Sequence, residues 1–302
     1  MVRKLVRKKK KKNFLLKIII VVLIAVGLDL SWYMFGVDIA KYKNKNPDKT
    51  AFMKYRESKW AEKNRKVTIK KIWMPLSRIS ENAQRAVIVA EDAKFWKHDG
   101  FDFDAMRMAF EKNLEKRKMA VGASTISMQV AKNLYLSPSK TPIRKIHEAI
   151  ITWRMERVLS KKRILEIYLN IAEWGDGVFG IEAASHAYFN HGASTLDRHE
   201  SALLASVLPN PIRFSPLKNS RYVARRSRLI QKALGGDFDA AIELHTKSMS
   251  NANKAEDTLK DNIQKQNDSV EIQSLDSSEL IDSLKPDSLN VNDSVYRDST
   301  LQ

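Results

Sequence analysis

Between Phe14 and Val37 the chain is apolar, and charge interrupts it only at Lys17 and Asp29. Ile18 to Leu28 is unbroken, and with Leu30, Trp32, Tyr33, Met34 and Phe35 the run reaches the roughly 20 residues that span a bilayer. A stretch of this kind is either a membrane anchor or a cleaved signal peptide. No small-x-small cleavage site follows the core, so an uncleaved anchor is the expectation. Lys17 can snorkel to the headgroups. Asp29 lies deeper and is costly there, by ~2.5–3.5 kcal/mol at a helix centre. Trp32 and Tyr33 suit an interfacial aromatic belt on the far side. A solid basic block, Arg3, Lys4, Arg7 and Lys8 to Lys12, directly precedes the run and by the positive-inside rule stays in the cytoplasm, so the remainder is exported.

That placement decides how the net charge of +18 is read. A basic chain invites nucleic acid as partner, but an exported domain does not meet chromosomal DNA, and no nucleic-acid partner is expected. The chain has no cysteine, which excludes disulfides and thiolate metal sites. None of its six histidines has His-Glu-x-x-His spacing, so the chain carries no such zinc-hydrolase signature. Ser137-Pro138-Ser139-Lys140 matches Ser-x-x-Lys but lacks a Lys-Thr-Gly partner.

The expected layout is a basic cytoplasmic segment (1–13), a transmembrane anchor (14–37), a lysine-rich juxtamembrane spacer (38–70), a catalytic domain (71–245) and a tail (246–302). Residues 250–302 hold eleven acids and five bases, rich in Ser, Asp and Asn, and this composition predicts disorder.

Within the central region the pattern is helical. Ala83, Ala86, Val87 and Ala90 recur at helical spacing, predicting a helix from about Glu81 to Phe95 capped by Ser80. Glu91 then falls near the negative end of the helix dipole, where a carboxylate is disfavoured as an ion and so better suited to take a proton. Successive helical residues point about 100° apart, so Glu91 and Asp92 cannot share a cleft. One should face a site and the other hold structure. Taken alone, the stretch reads equally well as a solvated Glu-Asp pair.

Further along, Asp104 is the expected cap of a helix from Ala105 to about Lys118, with aromatics, methionines and interleaved cations that suit either a core helix or a membrane-touching lobe. Ser124 is the expected N-cap of the next helix. Thr125, Gln129 and Lys132 make a polar stripe at i, i+4 and i+7, suited to a sugar-phosphate ligand. Ile143 to Leu159 reads as a helix burying Ile143, Ile146, Ile150 and Trp153. On its other side Arg144, Lys145 and Glu148 meet at i, i+1 and i+4, either a surface salt bridge or a platform for pyrophosphate. Glu166 and Asn170 are expected to be structural. No β-strand pattern and no repeat is visible, so the fold class is mainly α.

Four blocks stand in order. They are Glu91-Asp92-x-x-Phe95-x-x-His98-x-Gly100, Gly122-Ala123-Ser124-Thr125-Ile126-Ser127-Met128-Gln129, Arg144-Lys145-Ile146-His147-Glu148 and Lys162-Arg163-Ile164-Leu165-Glu166-Ile167-Tyr168-Leu169-Asn170. Together they resemble the signature of the peptidoglycan glycosyltransferases, glycosyltransferase family 51, and the short chain resembles the monofunctional, membrane-anchored members. The likeness runs from about Lys71 to Gly235. Ala123 departs from it, because many members carry a second glycine there.

The resemblance implies a lysozyme-like helical domain that polymerises a lipid-linked disaccharide-pentapeptide, lipid II, by inverting displacement of undecaprenyl pyrophosphate. It implies Glu91 and Glu148 as catalytic residues. Asp92, Phe95, His98, Ser124, Thr125, Gln129, Lys132, Asn133, Arg144 and Lys145 are the candidate substrate-binding set. A divalent cation, Mg or Mn, reaching Glu148 through the pyrophosphate is an open expectation. The implied partners are lipid II, the growing glycan and the membrane, with other cell-wall synthesis and division proteins as a further class. The implied location is the bacterial cytoplasmic membrane, single-pass, with the catalytic domain outside. The competing class is a membrane-anchored muramidase of related fold, which needs a carboxylate but has no use for cations at a leaving group.

Overall fold

The computed structural model describes residues 2–115, 122–139, 141–218, 220–237 and 244. The tail expected from residue 246, and the last residues of the helix expected to reach Lys118, lie outside them.

The mainly α expectation holds. The element order is α1 (Val2–Ser31), α2 (Ala51–Glu62), β1 (Lys70–Lys71), α3 (Glu81–Glu91), α4 (Phe103–Glu115), α5 (Ile126–Tyr135), α6 (Pro142–Val158), α7 (Lys161–Ile171), β2 (Glu173–Gly175), β3 (Val178–Phe179), α8 (Ile181–Phe189), α9 (Arg198–Val207) and α10 (Arg221–Leu234). α1 is continued by a π-helical turn, Trp32–Gly36. The segment from Leu16 is long and apolar enough to cross a membrane.

The helices start where short polar side chains satisfy orphan backbone N–H groups. Ser80, Thr125, Thr141, Ser160, Asp197 and Ser220 each accept such a bond at the head of α3, α5, α6, α7, α9 and α10. The caps of α4 and α5 differ from expectation by one or two positions. Asp102, not Asp104, accepts from Ala105 N at 2.9 Å, because Asp104 is drawn outward to Lys94 at 2.7 Å. Thr125, not Ser124, caps α5.

α7 is the centre of the core: Ile164, Leu165, Ile167, Tyr168, Leu169, Asn170 and Ile171 are all buried. Glu166 and Asn170 are structural, as expected. Glu166 accepts from Leu76 N at 2.9 Å, and the Asn170 amide exchanges two bonds with Met74, its oxygen accepting from N at 2.7 Å and its nitrogen donating to O at 2.9 Å. α5 packs on α6 and α7, and α3, α9 and α10 pack on one another.

Three expectations are corrected. A small sheet exists, in the order β1-β3-β2, with β1 parallel and β2 antiparallel to β3. Its strands are two or three residues long, too short to show alternation in sequence. Stretch 38–70 is not a plain spacer. α2 buries Met53 and Trp60, and Arg56 reaches Glu173 at 3.0 Å and Asp176 at 2.7 Å. The buried face of α6 is not the one expected. His147, Glu148, Ile151, Thr152 and Met155 are inside, while Ile143, Ile146 and Trp153 are exposed. Helical spacing identifies a stripe but not what covers it, and this apolar stripe faces out of the domain.

If α2 belongs to the core, Trp60→Ala removes a ring that is 3 % exposed and a bond from Nε1 to Asp176 at 3.0 Å. It should lower the unfolding free energy by about 3–5 kcal/mol, read from urea denaturation of the detergent-solubilised chain. A spacer residue would change it by less than about 0.5 kcal/mol.

Candidate active site

Glu91 is the last residue of α3, and Asp92 ends the helix in an extended conformation. The two side chains part as the helical geometry requires. Asp92, buried, accepts from Ile126 N at 3.0 Å and bonds His98 Nε2 at 2.9 Å. It thereby ties the end of α3 to the start of α5. His98 Nδ1 accepts from Gly100 N at 3.1 Å. Phe95 is fully buried under this loop. Gly100 has φ +95°, and a Cβ there would stand 2.9 Å from Thr152 and Glu156 of α6. Its carbonyl accepts from the Thr125 hydroxyl at 2.7 Å. The structure thus places Asp92, Phe95, His98 and Thr125 as the frame of the site, their polar groups engaged within the protein.

Glu91 faces the other way. Its Oε2 accepts from Gln129 Nε2 at 2.9 Å. The orientation of that amide follows from Tyr168. Burial pushes the Tyr168 phenol up well above its ordinary range, so the hydroxyl stays a donor, and it donates to Gln129 Oε1 at 3.3 Å. The amide nitrogen is left to face Glu91. Arg226 of α10 stands 3.4 Å from Glu91 Oε1 and donates to Ala90 O at 3.0 Å. Tertiary folding thus brings a cation to Glu91 from another helix. Sequence reasoning missed Arg226 and Tyr168. The signal for Arg226 was present: it shares an i, i+3, i+7, i+11 register with the buried Val223, Ile230 and Leu234, an unusual place for a cation.

The second carboxylate has a more strongly cationic setting. Glu148, 2 % exposed, is gripped by Arg144 Nη1 at 2.5 Å and by Lys145 Nζ. Lys145 also donates to the Ser124 hydroxyl at 3.2 Å. A carboxylate buried this fully requires such compensation. Half-buried Lys132 extends from α5 into the field of both carboxylates. Desolvation holds its ammonium below the ordinary lysine range, opposed by Glu148 and Glu91 and assisted by Arg144 and Lys145. It makes no hydrogen bond or ion pair within reach among the described residues. Asn133 is buried on the inner side of the same helix.

The site therefore has a carboxylate held by an amide and a guanidinium at one end, and three cations around a carboxylate at the other. A protein-held divalent ion does not fit this donor set. Both oxygens of Glu148 are already on cations, and no group of three or more His, Asp or Glu among the described residues could hold a metal.

Residues 56–234 match the family model described as transglycosylase. The chain belongs to the transglycosylase family. It is therefore an enzyme of the lysozyme-like helical class that the sequence blocks resemble. Three similar curated relatives are named biosynthetic peptidoglycan transglycosylase, and that of Nitrosospira multiformis is 49 % identical over 185 residues, 61 % of this chain and 80 % of its own length. That of Chromobacterium violaceum is 45 % identical over 212 residues, covering 70 % and 92 %. That of Methylobacillus flagellatus is 47 % identical over 186 residues, covering 62 % and 81 %. All four sequence blocks lie inside the transglycosylase match.

The lowered ionisation of Lys132 carries a prediction with a sign. A lysine held below 10.5 loses its proton earlier than an exposed one as pH rises, and the site loses a cation with it. The alkaline limb of kcat/KM should fall with that deprotonation. Lys132→Arg keeps its charge at all these pH values and should move the limb upward. A limb unmoved by the arginine would assign it to another group.

Proposed function

We propose that this chain polymerises a lipid-linked disaccharide-pentapeptide, lipid II, into glycan strands and releases undecaprenyl pyrophosphate. The observation that carries the reading is a pair of carboxylates in different surroundings, one beside an amide and a single guanidinium and the other between two closely bonded cations, with Lys132 in the field of both. The growing strand is the donor and occupies the cationic end. The incoming lipid-linked disaccharide is the acceptor and presents its 4-hydroxyl to Glu91.

Glu91 takes the hydroxyl proton as the oxygen attacks the anomeric carbon. The new C–O bond forms on the face opposite the departing group, and the bond from that carbon to the pyrophosphate breaks. The electron pair leaves on the phosphate oxygen, so the configuration inverts. Lys132, Arg144 and Lys145 meet the charge that develops there, which is where fixed cations accelerate a displacement most. Glu148 holds the last two in place. A muramidase would protonate a neutral glycosidic leaving group and gains nothing from this cluster.

The same reading places α1 across the bacterial cytoplasmic membrane once, with the catalytic domain on its outer face beside the lipid substrate. Exposed Ile143, Ile146 and Trp153 on α6 and Phe103, Phe110 and Leu114 on α4 support a domain that touches lipid. Cell-wall synthesis and division proteins are the partner class this location proposes.

Incubation of the full chain with lipid-linked disaccharide in liposomes should give long glycan strands, and finished peptidoglycan should not be cut. Glu91→Gln keeps shape and hydrogen bonds but cannot take a proton, so single-turnover polymerisation should fall by roughly 10²–10⁴-fold while inhibitor binding persists. Glu148→Gln should weaken inhibitor binding as well, because it loosens Arg144 and Lys145. Turnover by Glu91→Gln close to that of the native chain, with binding intact, would remove Glu91 from the role of base.

A further inference from the structure

Asp29, the acid inside the apolar run of α1, is not left alone. His147 of α6 meets it, Nε2 to Oδ2 at 2.5 Å, and the Tyr33 ring stacks on the His147 ring with centroids 3.8 Å apart and planes 19° apart. Tyr33 is thus not free to act as a belt residue. Two further contacts run from the end of the anchor to the domain. Arg154, two turns along α6 from His147, donates to Tyr33 O at 2.9 Å, and Tyr135 at the end of α5 donates to Asp38 O at 2.9 Å. The π-helical turn between them is closed by Gly36, where a Cβ would collide with the Trp32 ring at 2.7 Å.

The position of this contact is the telling point. At about 1.5 Å per residue, Asp29 lies about 20 Å along the helix from Leu16, where the apolar span begins. A hydrocarbon layer is about 30 Å thick, so Asp29 stops short of its far side. A carboxylate at that depth needs a polar partner, and His147 can reach it only if the face of α6 around it enters the layer. The side chains exposed there, Ile143, Ile146 and Trp153, suit lipid. His147 also sits between Lys145 and Glu148 in sequence, so whatever fixes its depth fixes theirs.

We propose that Asp29 and Tyr33 form a latch on His147 that sets the depth and tilt of α6 in the bilayer, and so the height of the Arg144, Lys145 and Glu148 cluster against the substrate's pyrophosphate. The latch residues are positioning residues. The proposal rests on the lipid-linked substrate argued above, whose pyrophosphate is held at headgroup level. A cluster at the wrong height loses its hold on the bound diphosphate and on the charge that develops as it departs, so KM rises and kcat falls together.

The absence of cysteine allows a clean test. The full chain carrying a spin label at Ile143→Cys is reconstituted into phosphatidylethanolamine–phosphatidylglycerol vesicles, and label depth is read by power saturation with oxygen and a nickel chelate. Asp29→Leu and His147→Leu should each shift the label by several ångströms. They should lower kcat/KM about tenfold to a hundredfold, through both KM and kcat. The exchanged pair, Asp29→His with His147→Asp, keeps the ion-pairing groups but loses the Tyr33 stacking, and should restore depth and KM in part. Unchanged depth and KM in the leucine variants would overturn the latch, as would a loss confined to kcat or an exchanged pair no better than the single variants. Label depth needs no substrate. If the native chain makes no glycan, the substrate reading fails, and the depth comparison alone still decides the latch.

Discussion

The site depends on one buried carboxylate, Asp92. A helix that ended at Glu91 without it would leave its terminal carboxylate on a free end. Asp92 instead spends one oxygen on the first N–H of α5 and the other on His98, joining two helix ends head to tail. Removing either partner would strand a charge in a closed interior, which is far costlier than a lost surface bond. Because α3 stops against α5 in this way, Glu91 and Gln129 face each other at hydrogen-bond distance. The loop of Phe95 and Gly100 fills the space beneath and leans on α6, so the helix of the first carboxylate is braced against that of the second.

From this frame follows an asymmetry of charge. At the Glu91 end, a neutral amide and one guanidinium make the contacts, and the amide's orientation is set from below by a phenol that burial keeps protonated. At the Glu148 end, Arg144 and Lys145 close on a single carboxylate and Lys132 stands between the ends. Two carboxylates in different surroundings can do different work at one pH, one exchanging a proton and the other organising cations. The Lys132 ammonium, partly desolvated and without a partner among the described residues, suits a ligand that brings its own negative charge.

The membrane side follows the same logic with a different solvent. α6 looks inverted if water is assumed on every exposed face, with histidine and glutamate inside and isoleucine and tryptophan outside. Beside a bilayer, as proposed, the arrangement would be ordinary: the polar stripe lines the site and the apolar stripe would meet lipid. The N-terminal segment is likewise part of the fold. It contributes a stacked ring, a carboxylate and two backbone acceptors to the domain it carries.

Sequence by itself determined what depends on short chain separation. Helical spacing located the start of α3 and, to within a residue, both ends of α6, and the i, i+1, i+4 arrangement of Arg144, Lys145 and Glu148 predicted their meeting, because a helix enforces such contacts locally. The divergence of Glu91 and Asp92 was legible for the same reason. Four ordered blocks carried the family. Only the tertiary structure decided which stripe of α6 is covered, since periodicity marks a face without naming its neighbour. Only tertiary structure showed that stretch 38–70 supplies Trp60 and Arg56 to the core. Only it brought Arg226 to Glu91, Tyr168 to Gln129 and His147 to Asp29. These partners lie far apart along the chain, and their meeting is set by the packing of whole helices, which no local pattern encodes.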